Sequence, residues 1–232
     1  MTRTKTLFVF AIAVLVGSCP WAVAGDILID PGHSPKFPGA ISCSGVAEYR
    51  YNNLLAAEIA NYLSLLGHNV SLTKSGNSVI SLSRRAALSK GQDLLVSIHH
   101  DSVQPQFVNR TPDGGVCSYK AKGFSIFISR SNRYFKESLH YARLLGNAMV
   151  RRGYHPTLHH AEKIPGEFKI LYDPALGIYI FNNLVVLKQA KAPAILFEAA
   201  VIVHPEDEAI AASEEYRHAI AESAAAMVSA KP

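Results

Sequence analysis

Apolar and polar positions along the chain fall into short β-type runs separated by longer stretches of helical period. Apolar, partly β-branched runs at residues 27–30, 69–73, 93–98, 124–129 and 194–197 predict strands. Between them, Leu55, Ile59, Tyr62 and Leu66 recur at helical spacing, and Gly67 stands where a C-terminal cap belongs. Residues 82–90, 132–152 and 206–229 carry similar helical patterns. Strands alternating with helices predict an α/β fold: a single layered domain with a mixed or mainly parallel central sheet flanked by helices. The polar stretch 102–122, rich in Pro, Gly, Asn and Gln, reads as an inserted loop, and the topology of residues 153–186 stays open. No internal repeat or interdomain linker is visible.

Composition adds a compartment to this picture. With 232 residues, 49% hydrophobic and 18% charged, the chain has the make-up of one globular domain. Residues 1–24 read as a signal peptide: Arg3 and Lys5 precede an apolar run from Leu7 to Val16, and Ala22-Val23-Ala24 resembles a cleavage site. About ten apolar residues are too few for a membrane span, which needs roughly 20. The domain proper is then 25–232, exported to the periplasm or beyond. A minor alternative is a lipoprotein acylated at Cys19, within Val16-Gly17-Ser18-Cys19, although little tether would separate that lipid from the first strand. Cleavage removes two basic residues and lowers the formal charge from +5 to +3. No basic run or nucleic-acid motif accompanies that mild charge, so no nucleic-acid partner is expected. Cys43 and Cys117 remain after cleavage, and in an oxidising compartment they form either one disulfide or two buried thiols.

Candidate chemistry collects at the ends of predicted strands, where open α/β sheets place their reactive crevice. Ile27-Leu28-Ile29 leads into Asp30-Pro31-Gly32-His33, residues 94–98 lead into His99-His100-Asp101, and residues 194–197 lead into Glu198. Glu48, just before the first amphipathic helix, can turn back toward His33. Two imidazoles and a carboxylate with an open fourth position form a recurrent zinc set, and a further carboxylate such as Glu198 can then deprotonate a metal-bound water. None of these residues sits in a local pattern such as His-Glu-x-x-His, so spacing alone leaves a structural role open for each.

Several linked motifs, in order across nearly the whole chain after residue 24, resemble the zinc-dependent N-acetylmuramoyl-L-alanine amidases of bacterial cell separation. They are Asp30-Pro31-Gly32-His33, Glu48 followed by Asn52 or Asn53 and Leu54, residues 67–73 (Gly-His-Asn-Val-Ser-Leu-Thr), Leu82 with Arg85, and Ser97-Ile98-His99. The resemblance implies Zn²⁺ held by His33, Glu48 and His99, Glu198 as general base, and peptidoglycan as substrate. It implies no particular activating partner, and a monomer is the expectation. The rival readings are a zinc hydrolase of another peptidoglycan amide and a catalytically silent wall-binding protein.

The chain also departs from the family pattern. Ser34-Pro35-Lys36-Phe37-Pro38 replaces small residues after the first ligand, His100 replaces a small residue, and residues 199–204 lack the usual Gly-Phe and Ser-Asn pairs. No long helical insertion of the kind that covers the zinc in some relatives is visible, so constitutive activity is the expectation. Other polar residues have bland readings. His100 is expected to pack, and His159-His160 to occupy the surface or rim. Asp30 is expected to orient His33 or form a turn, Asp101 to support His99 or open the loop, and Arg85 to act structurally.

Overall fold

Leu94, Leu95, Val96 and Ile98 are all buried, as a strand covered on both faces requires, and the same holds for Ile27, Leu28 and Ile29. These runs form the centre of a computed structural model that describes residues 24–113 and 115–230. The strands are β1 (Asp26–Pro31), β2 (Asn69–Leu72), β3 (Leu94–Asp101), β4 (Asn109–Arg110), β5 (Val116–Cys117), β6 (Ser125–Ile128), β7 (Ile170–Asp173), β8 (Ile178–Ile180) and β9 (Ala194–Val201). Seven form one sheet in the order β2-β1-β3-β9-β6-β8-β7, while β4 and β5 make a small separate hairpin. The β1–β2, β1–β3, β3–β9 and β6–β8 pairs are parallel, and β6–β9 and β7–β8 are antiparallel. The predicted mixed, mainly parallel α/β sheet is thus present.

The helices are α1 (Glu48–Leu65), α2 (Leu82–Leu88), α3 (Phe135–Arg151), α4 (Val185–Gln189), α5 (Pro205–Ala212) and α6 (Glu214–Ser229). Helix α1 buries Tyr51, Leu55, Ile59 and Leu63, an unbroken i, i+4 row, whereas Leu66 is exposed. The apolar stripe therefore lies one position away from the one drawn through Tyr62 and Leu66. Each fully buried Leu or Ile of this row contributes roughly 1.5–3 kcal/mol. Past the last turn, Gly67 N–H bonds to Ser64 O at 3.0 Å and His68 N–H to Leu63 O at 3.1 Å, the paired bonds of a Schellman cap. The predicted helix 206–229 is two helices, parted at Ser213, whose hydroxyl caps α6 by accepting from Tyr216 N.

Alternation along the strands sends one set of side chains to each face. Ile27, Ile29, Val96, Ile98, Ile195 and Phe197 join α1, α3 and α6 in the larger core. Leu28, Leu95, Phe127, Tyr179, Ala194 and Leu196 pack with α4 in the smaller one. Residues 102–122 hold the β4–β5 hairpin, and a Cys43–Cys117 disulfide, with Cα atoms 4.5 Å apart, ties that hairpin to the loop after β1. The undecided segment 153–186 supplies β7 and β8, which extend the sheet beyond β6. The expected signal peptide, residues 1–24, lies outside the described residues through residue 23, and so does Cys19.

Candidate active site

His33 lies two residues past the end of β1 and holds φ at +59°, a left-handed conformation that costs a non-glycine residue about 1–2 kcal/mol. The next residues explain how it is kept there. Ser34 and Phe37 exchange backbone bonds of 3.0 and 2.9 Å, and the Phe37 carbonyl accepts from His33 Nδ1 at 3.2 Å. That bond places the imidazole proton on Nδ1 and leaves Nε2 facing Glu48 Oε2, 3.2 Å away. The Ser34–Pro38 departure thus builds the turn that aims His33.

Glu48 is the first residue of α1 rather than the residue before it, and it is buried. Its Oε2 accepts from Ala40 N at 2.9 Å. Its Oε1 accepts from Asn52 Nδ2 at 3.0 Å and His100 N at 3.2 Å, and stands 3.1 Å from His99 Nδ1. Burial alone would raise the Glu48 pKa; the bond with His99, the charge of both imidazoles and the Asn52 amide outweigh it and bring the group to about 2. Burial also lowers the pKa of His33, more than Glu48 raises it, so its lone pair is available near neutrality.

Two glycines make the close approach possible. A Cβ on Gly32 would meet the His99 ring at 2.4 Å, and one on Gly39, at φ +77°, would meet Glu48 Oε2 at 2.2 Å and the His33 ring at 2.8 Å. His33, Glu48 and His99 each present one donor atom, and the three lie within 4.8 Å of one another. Side-chain exposures of 33%, 5% and 17% leave the cluster open to solvent on the imidazole side. Two neutral-capable imidazoles, one ionised carboxylate, fixed outer partners and an open side match the donor set of a catalytic zinc site, so the residues present fit that metal.

Glu198 is not at the end of its strand but within β9, directly paired with His99 of β3. His99 follows Leu95 by four residues and Glu198 follows Leu196 by two, so both project from the face that carries the smaller core. Glu198 Oε2 is buried without a hydrogen-bond partner, and burial, then the nearby Asp101 and Glu48 charges, raise its pKa well above the ordinary carboxylate value. The group opens on a cavity of about 380 Å³, lined in part by Gln104, Phe127, Lys169 and Phe181. A second cavity of about 390 Å³, walled by Phe37, Val79, Ile80 and Leu82, adjoins His33 and His99.

The remaining polar residues depart from their bland readings in instructive ways. Asp30 does not touch His33; it is fully buried and accepts from Thr73 Oγ1 at 2.5 Å and Ser97 Oγ at 2.8 Å, with Arg85 Nη1 at 3.6 Å. Arg85 therefore pairs with Asp30, as a structural role requires. His100 does more than pack: its Nδ1 donates to Asn52 Oδ1 at 2.8 Å, steadying the amide that donates to Glu48, and burial lowers its own pKa to about 4. Asp101 bonds to His160, and His159 and His160 are buried, with neither at the surface. The folding of residues 153–169 onto the crevice had no periodic signal in sequence; the His-His pair beside a later Glu was the one available cue.

A His-Glu-His cluster gathered from the loop after β1, the start of α1 and strand β3, with the carboxylate of Glu198 on the adjoining β9, is the arrangement of a candidate hydrolase metal centre. A family model described as Amidase_3, N-acetylmuramoyl-L-alanine amidase, matches residues 27–230, and the chain belongs to this family. It is 29% identical over 219 residues to the N-acetylmuramoyl-L-alanine amidase AmiC of Neisseria meningitidis serogroup B, a match covering 87% of this chain and 51% of that protein. Against AmiA of Escherichia coli K12 the identity is 26%, covering 84% and 72%. The chain thus spans about half the length of the first relative. The crystal structure of an N-acetylmuramoyl-L-alanine amidase from Clostridium difficile 630 superposes with a TM-score of 0.69 at 25% identity, covering 88% of this chain and 95% of that one.

Proposed function

We propose that this chain is an exported, zinc-dependent hydrolase of the amide joining the lactyl group of N-acetylmuramic acid to L-alanine in peptidoglycan. His33, Glu48 and His99 hold the metal, and Glu198 is the general base. The observation that carries the reading is the pairing of Glu198 with His99 on one face of adjacent strands, with a buried carboxylate oxygen left free beside the ligand cluster. Family membership supplies the substrate class.

Bound to these ligands, zinc supplies Lewis acidity that lowers the pKa of a water and polarises the scissile carbonyl. Everything else falls to the chain. Asn52, His100 N and Ala40 N fix Glu48 so that neither oxygen must reorient. Phe37 O fixes the His33 tautomer. Glu198 accepts the proton of the attacking water and returns it to the departing alanine amine. A carboxylate raised by burial is a better proton acceptor than an exposed one, which suits this double role. The cavity beside Glu198 and the one beside His33 and His99 give room for a polymer to extend from the cleaved bond. Export through residues 1–24 is supported by the Cys43–Cys117 disulfide, a bond that persists in oxidising compartments.

Digestion of purified sacculi by the zinc-loaded protein tests the proposal. New L-alanine amino termini with intact stem peptides are expected. Termini within the stem would favour a different amide, and retention of wall material without release would favour a silent binding protein; either outcome overturns the assignment.

A further inference from the structure

We propose that Asp101, His159 and His160 form a second site for a divalent borderline transition ion such as zinc, separate from the His33–Glu48–His99 cluster. Asp101 is the last residue of β3, two positions past His99, so about 6–7 Å of strand parts the two backbones. His159 and His160 come from a short 3-10 turn in the segment folded against that strand end. Their donor atoms and an Asp101 oxygen lie within 4.8 Å of one another.

The distances resemble those of the first cluster. His160 Nε2 is 2.7 Å and His159 Nε2 3.6 Å from the same Asp101 Oδ2. Tetrahedral bonds of about 2.0–2.1 Å place donors roughly 3.3 Å apart, so shifts of some tenths of an ångström would admit an ion. In the first cluster the imidazole–carboxylate separations are 3.2 and 3.1 Å, each to a different oxygen of Glu48.

Orientation is also that of ligating imidazoles. His159 Nδ1 is 2.8 Å from Thr157 Oγ1, and His160 Nδ1 is 2.9 Å from Glu167 Oε2. Glu167 is itself held by Gln104 Nε2 at 2.7 Å. With each Nδ1–H donated to its oxygen, both Nε2 lone pairs face Asp101, the outer arrangement that fixes metal-binding histidines. The rival is a metal-free ion pair in which His160 bridges Asp101 and Glu167. It holds His160 by two close contacts but reaches His159 only at 3.6 Å, beyond hydrogen-bond distance. His159 is only 6% exposed, and its Nε2 is buried with no hydrogen-bond partner, a costly state that a cation at this point removes.

The test is zinc stoichiometry. Metal-stripped mature protein is titrated with zinc against a chromophoric chelator, and circular dichroism confirms the fold of each variant. About two equivalents are expected for the native chain. About one is expected both for His33→Ala, which keeps the second site, and for His159→Gln, which keeps the first. One equivalent in the native chain, or two retained in His159→Gln, overturns the proposal. Should the variant fail to fold, anomalous diffraction at the zinc edge from native crystals grown with zinc decides instead: a peak among Asp101, His159 and His160 is expected, and its absence at full occupancy of the first cluster overturns the site. Loss of amidase activity on sacculi is a separate outcome and does not bear on this count.

Discussion

Replacing Glu198 by Gln separates chemistry from structure at the residue on which the proposed mechanism turns. The amide keeps the shape of the side chain but cannot take a proton from water. General-base catalysis contributes about 10²- to 10⁴-fold, equivalent to about 3–5 kcal/mol of barrier, and a loss of that size is expected in kcat. Stability should move the other way. The folded pKa of Glu198 is raised by burial and by Asp101 and Glu48, so its contribution to folding is full below the unfolded value and lost as pH rises through the folded one. Near neutrality an ionised Glu198 therefore opposes folding of the metal-free chain, and the neutral amide should leave its melting temperature equal or higher. The assay is release of L-alanine amino termini from peptidoglycan at matched zinc content, alongside thermal unfolding of the stripped protein. Near-native turnover in Glu198→Gln would refute the general-base assignment. A marked fall in stability would show that the carboxylate is structural after all; Arg85, a foreseeable ion partner, is engaged with Asp30.

Three further outcomes are expected. Gly39→Ala should lower zinc retention sharply, because its Cβ would stand 2.2 Å from Glu48 Oε2, whereas Gly45→Ala, with similar positive φ but nothing nearer than 3.8 Å, should retain the metal; equal retention in both would refute the steric argument. Cys43→Ser should cost about 2–4 kcal/mol, since the bond closes a 74-residue separation, and two freely alkylated thiols in unreduced native protein would show that no bridge forms. In the metal-stripped protein, burial disfavours the His160 cation, yet Asp101 and Glu167 overcome it and raise the pKa from 6.5 to about 9. Its stabilisation is full below pH 6.5 and fades as pH rises through 9, by up to about 3 kcal/mol. His160→Gln should flatten that part of the pH–stability curve, and an unchanged slope would refute it.

What was legible in the sequence follows from how locally each feature is encoded. The strands β1, β3 and β9 announce themselves as apolar runs because both faces are buried, and Gly67 marks the end of α1 because a Schellman cap is built from neighbouring residues. Asp101 and residues 199–201 were not read as strand, since polar or small side chains there are chosen by what lies across the sheet, not by period. Of the stripe read from the pattern, Leu55 and Ile59 are buried and Tyr62 packs at the core's flank, while Leu66 is exposed and Leu63 takes the buried position, since neighbouring apolar residues fit the same spacing. Strand β7 alternates between exposed and half-buried positions at the sheet edge, which gives little hydrophobic contrast to read. With β7 and β8 unplaced, nothing carried His159 and His160 inward, and a rim position was the natural expectation.

The arrangement of the site reduces to strand parity combined with charge. On β3 the odd-numbered Leu95, Ser97, His99 and Asp101 share a face, and on β9 the even-numbered Ala194, Leu196 and Glu198 meet them there. A slip of one residue in either strand would turn its polar set into the larger core, so the hydrophobic pattern that fixes the register also fixes the site. Parity, however, crowds carboxylates: Asp101 and Glu48 both raise the pKa of Glu198. Like charges in a buried crevice oppose one another, and the chain answers with imidazoles, two beside Glu48 and two beside Asp101. In the metal-free chain His160 answers as a cation between Asp101 and Glu167, whereas His33, its pKa lowered by burial, cancels no charge when neutral but is a good ligand for an ion that does. Around Glu48 and Glu198, where burial lowers the pKa of His33 and so favours its uncharged form, a divalent metal is the counter-charge that the donor atoms of the His33–Glu48–His99 cluster select.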